Sequence, residues 1–273
     1  MSVDTTRLDG KTALVVGGGG GGIGRAVSTE LAGAGARVVV VDVELDRAKG
    51  VCDDITAEGH IAVPMQADML DSATVEALVD EVCASYEGID VLATIVGGVR
   101  GLAPWQPAHR YTDKQWQDVL DLNLTSAFIA VRAVLTRMLD RGQGGSIIAI
   151  GSLSGIAGSP QHFAYGVGKA GVIHMARSIA IEYGQQGIRM NVVSPGRVRT
   201  PATSDTLNEA QLATFAERIP LGRIGEAEDI ASAVRFFASP ASSYISGQNL
   251  MVDGGATARF PIPLPGTSPH ESF

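Results

Sequence analysis

Short β-branched apolar runs alternate along the chain with longer stretches whose apolar positions recur every three or four residues. Thr12 to Val16 and Arg37 to Asp42 read as strands on either side of a helix from Ile23 to Ala34, with Gly35 placed as its C-terminal cap. The rhythm continues with a helix over Leu45 to Glu58, a strand over Ile61 to Gln66, a helix over Ala73 to Tyr86 and a strand over Val91 to Val96. One long helix, Trp116 to Leu139, with Trp116 and Phe128 as core positions, precedes a strand at Ser146 to Ile150. A helix at Phe163 to Tyr183, a strand at Arg189 to Val193, a helix at Ala227 to Ala238 and a short strand at Asn249 to Val252 complete the series. This alternation predicts an α/β fold: a doubly wound parallel β-sheet of about seven strands with helices on both faces.

No linker and no repeat interrupts the series, so residues 1–259 are expected to form one domain. Thr200 to Arg218 is polar and reads as a mobile insertion, a candidate substrate loop over 200–218. The segment 260–273 holds Pro261, Pro263, Pro265 and Pro269 and cannot be regular structure; it is either an unstructured end or an arm on a neighbouring subunit.

Bulk composition narrows the partners. At 273 residues the chain can bury a core without covalent staples. Its net charge of −8 disfavours a nucleic-acid partner. The two cysteines, Cys52 and Cys83, lie in helix-like stretches and read as reduced, buried thiols; alone they are too few for a metal site, and no metal is expected. The start is polar, without an apolar leader, and the longest apolar runs, such as Val38 to Val41, are far short of a membrane span. A cytoplasmic protein with no membrane partner is expected, and Asn123-Leu124-Thr125 is then an accidental glycosylation sequon.

Gly17 to Gly22 form a run of six glycines, followed by Ile23 and Gly24, between the first strand and its helix. Glycine there lets a pyrophosphate approach the backbone, and the helix start offers free N–H groups and a positive dipole end. A glycine tract alone also suits a flexible loop; its place in a strand–loop–helix unit makes it a Rossmann-type nucleotide site. Asp42 ends the second strand, where a carboxylate can accept from the adenosine ribose hydroxyls and would repel a 2′-phosphate. Neither Val43 nor Gly21 supplies a basic partner for such a phosphate, and Arg25 can serve the pyrophosphate, so NAD is favoured over NADP.

Tyr165 and Lys169 stand four residues apart on a predicted helix and therefore share a face. An ammonium near a phenol favours the phenolate and lowers a pKa that is otherwise near ~10. Such pairs also occur on ordinary surface helices; what singles this one out is Ser152, just past the fifth strand, at the carboxyl end that lines the ligand crevice. Ser152 can hold a substrate oxygen while Tyr165 moves its proton.

With these residues in view the chain resembles the short-chain dehydrogenases/reductases, from about Leu8 to Gly255. The family's Thr-Gly-x-x-x-Gly-Ile-Gly motif falls on Gly17 to Gly24, with Gly17 in place of threonine, so that Gly18, Gly20, Gly22, Ile23 and Gly24 are candidate cofactor contacts. The resemblance implies adenosine contacts at Asp42, Val43, Asp68 and Met69, ribose contacts along Ile95, Val96 and Gly97, and nicotinamide-end contacts at Val198 and Thr200, beside Tyr165 and Lys169. It implies a catalytic set of Asn123, Ser152, Tyr165 and Lys169, with Asn123 supporting a water relay and Lys169 holding the nicotinamide ribose, and a homotetramer. Thr94-Ile95-Val96-Gly97 departs from the family's Asn-Asn-Ala-Gly, which removes the amide bracing of the sheet. Ser154 and His162 are candidate substrate contacts, and Arg100, Trp105 and His109 are weaker candidates for a pocket wall.

The reading is an NAD-dependent oxidoreductase interconverting a secondary alcohol and a ketone. Its rivals are a 3-oxoacyl-type carbonyl reductase, weakened by Asp42 because such relatives usually take NADPH, and a nucleotide-sensing protein without turnover, which has no need of all four catalytic groups. An enoyl reductase is disfavoured by the close Tyr165–Lys169 spacing, and nothing speaks for a purely structural role.

Overall fold

The computed structural model describes residues 4–99, 101, 106–201 and 208–258; Arg100, Trp105, part of the 200–218 loop and the 260–273 tail lie outside them. Strands β1 (Thr12–Val16), β2 (Arg37–Asp42), β3 (Ala62–Gln66), β4 (Val91–Thr94), β5 (Gly145–Ile150), β6 (Ile188–Pro195) and β7 (Asn249–Val252) form, among the described residues, one sheet. Its order is β3-β2-β1-β4-β5-β6-β7, with every pairing parallel. The order reverses between β1 and β4, opening a crevice at the carboxyl ends of those strands.

Side-chain alternation decides which residues meet which helices. Leu14, Val16, Val39, Val41, Leu92 and Ile147 face one layer, built from α3 (Ser72–Tyr86), α5 (Ser126–Arg141) and α6 (Phe163–Tyr183). Ala13, Val15, Val38, Val40, Ala93 and Ile148 face the other, built from α1 (Ile23–Gly33), α2 (Leu45–Ala57) and α8 (Ala227–Ala238). Because both faces are covered, the central strands are apolar at successive positions.

The helix expected over Trp116 to Leu139 starts earlier and contains a defect. Its first part, α4 (Asp113–Leu120), begins at Thr112, whose hydroxyl accepts from the Gln115 amide while the Gln115 side chain accepts from the Thr112 amide. A π-turn, Asp121–Thr125, then joins α4 to α5. The continuous helix 113–141 is long and apolar enough to cross a membrane, yet its apolar side is the cover of the sheet, with Ala130, Val134 and Met138 buried. Phe128, expected in the core, is 46% exposed with Arg132 against its ring, because it falls on the face of α5 turned from the sheet. Trp116 is half-buried against Phe163.

The described residues of the stretch Thr200 to Arg218 include a helix rather than only irregular chain. It contains α7 (Glu209–Ala216), capped by Asn208 through the Gln211 amide, and Leu212, Ile219 and Ile224 form a small core beneath it. Cys52 and Cys83 are free thiols, and burial pushes Cys52 up to about 11.

Candidate active site

The turn after β1 is held from beneath: the Gly17 and Gly18 amides both donate to the Val41 carbonyl, at 2.8 and 3.1 Å. Gly17 has φ +80°, and a Cβ there would stand 2.9 Å from the Val96 amide nitrogen. The departures at Gly17 and Val96 are therefore one packing arrangement, with the valine side chain lying where a threonine at 17 would project. Gly24 approaches the loop more closely still: a Cβ would fall 2.1 Å from the Gly17 carbonyl oxygen. Gly20 is different, since an added Cβ meets nothing nearer than 3.9 Å. The loop thus has one face packed and one open to the crevice, a cradle that backbone amides line and that side chains would fill. Thr200 and Pro201 close over it, with Thr200 against Gly22.

Beside the loop lies a cleft of about 110 Å³ lined by Gly17, Asp42, Val43, Asp68, Met69, Val96, Leu122 and Ser126 among others. Asp42 is 4% exposed at its edge, and its Oδ1 accepts from the Glu44 amide at 3.1 Å. Asp68 accepts from the Leu70 amide, which turns the chain so that Met69 faces the cleft. Arg25 is paired with Asp54 on α2 and brings no free cation to Asp42. A largely apolar cleft with a carboxylate at its edge, next to the glycine loop, is where these residues could hold the adenosine and pyrophosphate of a dinucleotide.

The expected catalytic residues converge at the ends of β4 and β5. Lys169 is 3% exposed, and its Nζ donates to the Ile150 carbonyl at 2.9 Å, just past which Ser152 leaves the sheet. Ser152 Oγ accepts from the Ser154 amide at 3.1 Å, which leaves its own proton to be directed outward. Lys169 Nζ lies 5.9 Å from the centre of the Tyr165 ring. Asn123 sits in the π-turn, fully buried; its Oδ1 accepts from the Gly98 amide (2.8 Å), and its Nδ2 donates to the Gly98 and Val119 carbonyls (2.7 and 2.8 Å). Gly97 is the meeting point, since a Cβ there would stand 2.7 Å from Lys169 Nζ and 2.9 Å from Asn123 Oδ1. Ile95 is fastened to Val16 through its amide, so the main chain of 95–97 passes the glycine loop without the family's side-chain amides.

The electrostatics differ from the simple picture of an ammonium acidifying a phenol. Burial pushes the Tyr165 phenol up, and the opposing influence is a hydrogen bond with the Ser152 hydroxyl. Burial also pushes Lys169 down, to about 8, because desolvation penalises the ammonium as it does the phenolate. On the substrate side, the His162 ring is edge-on to Tyr165 at 6.1 Å, and its Nδ1 is 2.9 Å from Ser159 Oγ. Ser154 and His162 also border a groove of about 450 Å³ that runs along Phe163, Val167 and Ala170 of α6. His109 stands exposed in a short turn. Val198 is buried and paired with Gly225 beside the crevice.

The family model described as enoyl-(acyl carrier protein) reductase matches residues 18–257. The 3-oxoacyl-[acyl-carrier-protein] reductase of Salmonella typhimurium is 36% identical over 247 residues, 90% of this chain and 97% of that protein. A short-chain type dehydrogenase/reductase from Mycobacterium marinum superposes with a TM-score of 0.85 at 32% identity, over 94% of this chain and 99% of the other. The chain is a short-chain dehydrogenase/reductase. A gluconate 5-dehydrogenase from Burkholderia cenocepacia, solved with NADP and tartrate, is a further structural relative of this short-chain dehydrogenase/reductase, with a TM-score of 0.87, 31% identity and coverage of 94% and 99%.

Some of this dehydrogenase/reductase's site was not readable from motifs. Leu122 and Ser126 line the cleft beside the glycine loop from the helix that carries Asn123, and no motif marks them. The Ile150 carbonyl and Gly98, which orient Lys169 and Asn123, act through main-chain atoms that no residue type reveals.

Proposed function

We propose that this short-chain dehydrogenase/reductase interconverts a secondary alcohol and a ketone with NAD(H), and that residues 1–259 act as one domain with 200–218 as the substrate loop. The observation that carries the reading is the meeting of Lys169 and Asn123 at Gly97, with the Tyr165 ring beside Lys169 and its phenol hydrogen-bonded with Ser152, at the carboxyl ends of β4 and β5. Gly18, Gly20, Gly22, Ile23 and Gly24 would hold the pyrophosphate, Asp42 and Val43 the adenosine ribose, and Asp68 and Met69 the adenine. The main chain at Ile95, Val96 and Gly97, with Val198 and Thr200, would hold the remainder. Bound NAD supplies the hydride acceptor.

The protein groups handle the proton. Ser152 holds the substrate oxygen, and Tyr165 Oη takes the hydroxyl proton during oxidation and returns it in reduction. Phenolate and ammonium are each costly alone in this buried site, so Tyr165 and Lys169 favour ionising as a pair. Asn123 fastens Gly98 with its whole side chain, so a water relay there would run through its main chain.

The buried carboxylate of Asp42, with Arg25 paired to Asp54 and Arg47 to Glu44, supports NAD over NADP. The gluconate dehydrogenase relative holds NADP, and a 3-oxoacyl-type carbonyl reductase is the competing reading, supported by the Salmonella relative. Exposed Phe128 on α5 and Val167 on α6 support a homotetramer, and a cytoplasmic location completes the proposal. Tyr165→Phe is expected to cut turnover at least about a hundredfold while NADH still binds. NADH is expected to exceed NADPH at least about tenfold in kcat/KM. Surviving turnover in the variant overturns the catalytic assignment, and a preference for NADPH overturns the cofactor assignment.

A further inference from the structure

We infer that Gly166 is a positioning residue: having no side chain, it lets the turn that carries Ser152 rest directly on the helix that carries Tyr165, and so sets the distance between their hydroxyls. The inference rests on the alcohol–ketone reading of the site and adds what holds its proton-handling pair in register.

Ser152 leaves β5 in extended chain and enters a tight turn, Leu153–Gly155. The turn is tied back to Ser152 twice: the Ser154 amide donates to Ser152 Oγ (3.1 Å), and the Gly155 amide donates to the Ser152 carbonyl (3.0 Å). Ser152 and the Ser154 carbonyl therefore move together. Two glycines, one on each partner, make the contact between this turn and α6. A Cβ at Gly166 would stand 2.7 Å from the Ser154 carbonyl oxygen. A Cβ at Gly155 would stand 2.9 Å from the Lys169 carbonyl carbon and 3.0 Å from the Ala170 amide nitrogen. Each would meet backbone, which cannot swing aside as the end of a side chain can. Neither glycine has a positive φ, so the close approach, and not an unusual backbone, is what glycine serves here. Gly166 lies inside α6, where alanine would be the better helix former; local preference does not account for it.

The contact sits next to the reacting groups. Tyr165 precedes Gly166, Ser152 lies two residues before Ser154, and the Tyr165 phenol is hydrogen-bonded with the Ser152 hydroxyl. A methyl at residue 166 would need about 0.6 Å more room to reach an ordinary C···O separation of ~3.3 Å. The helix cannot back away as a whole, because Lys169 Nζ ties it to the Ile150 carbonyl at the end of β5. The Ser152 turn tilts outward instead, and a displacement on that scale at reacting atoms lowers turnover about tenfold.

The test compares wild type with Gly166→Ala, Ser152→Ala and the double variant, by crystal structure and by oxidation of a panel of linear and cyclic secondary alcohols with NAD⁺ across pH. Gly155→Ala approaches the same contact from the other side. Gly158→Ala, with nothing within 4 Å, is the neutral control, and thermal melting shows that each protein is folded. Gly166→Ala is expected to lengthen the Ser152 Oγ to Tyr165 Oη separation and to lower kcat about tenfold with KM for NAD⁺ unchanged. The rise of kcat with pH moves to higher pH, because the phenolate loses its hydrogen bond. In the Ser152→Ala background the same substitution costs nothing further. Gly155→Ala repeats these changes and carries the same test if Gly166→Ala does not fold. An unchanged separation, a wild-type kcat, or an equal loss in the Ser152→Ala background overturns the proposal. A lengthened separation with no alcohol oxidised by any of the proteins keeps the positioning role and removes the alcohol–ketone reading. Oxidation by wild type with an unchanged separation in the variant does the reverse.

Discussion

Lys169 offers a quantitative check because its burial should be visible as a stability cost. Its side chain is withdrawn from water and donates to the Ile150 carbonyl, and burial holds it at about 8 against an ordinary 10.5. Below pH 8 the folded and unfolded chains both carry the proton, and the cost of burying the ammonium, about 3 kcal/mol at pH 7, is felt in full. Between pH 8 and 10.5 the folded chain gives up the proton first. The unfolded chain then binds more protons, so stability rises with pH, and the cost falls to about 1.5 kcal/mol at pH 9.5. Methionine has similar reach and no charge, so Lys169→Met removes this cost but strands the Ile150 carbonyl, a loss of about 1 kcal/mol. The variant should therefore be about 2 kcal/mol more stable than wild type at pH 7, and nearly equal to it at pH 9.5, while losing activity. Urea unfolding of both proteins side by side at the two pH values measures the gap, and titrations of groups remote from Lys169 cancel in the difference. A variant less stable than wild type at pH 7, or a gap that ignores pH, would refute the reasoning.

Gly24→Ala drives a Cβ into the Gly17 carbonyl and should cost about 1–3 kcal/mol together with at least tenfold in NADH affinity, read by urea unfolding and fluorescence titration. Gly33→Ala, at the end of the same helix and with nothing within 4 Å, should instead stabilise by about 0.4–1 kcal/mol; equal behaviour of the two would remove the cradle argument. Asn123→Ala leaves the Gly98 amide and two carbonyls without their partner and should cost about 2–4 kcal/mol. Its kcat should fall with it as Gly97 shifts, and a fully active, fully stable Asn123→Ala protein would show that the clamp is dispensable.

Periodicity and motif spacing were enough to read the alternating strands and helices, the parallel sheet and the shared helix face of Tyr165 and Lys169, because those signals lie among residues near one another in sequence. Val38 to Val41 must be a strand covered on both sides, and Tyr165 and Lys169 must share a helix face, wherever the chain goes. The π-turn at Asn123 was invisible, since the pattern on either side continues as ordinary helix. Phe128 shows the same limit: an apolar residue on a long helix signals a buried face, and only the packing of α5 against β4 and β5 showed that this one is outside it. The ionisation of Tyr165 and Lys169 was likewise decided by the fold. Their spacing brings two groups together, but only burial by distant segments removes the water that would otherwise stabilise either charge, and so reverses the expected direction for the phenol. Gly17 against Val96, and Gly97 against Asn123 and Lys169, join residues far apart in the chain. Such meetings depend on the order of strands and on how the loops close over their ends, quantities to which a sequence window has no access.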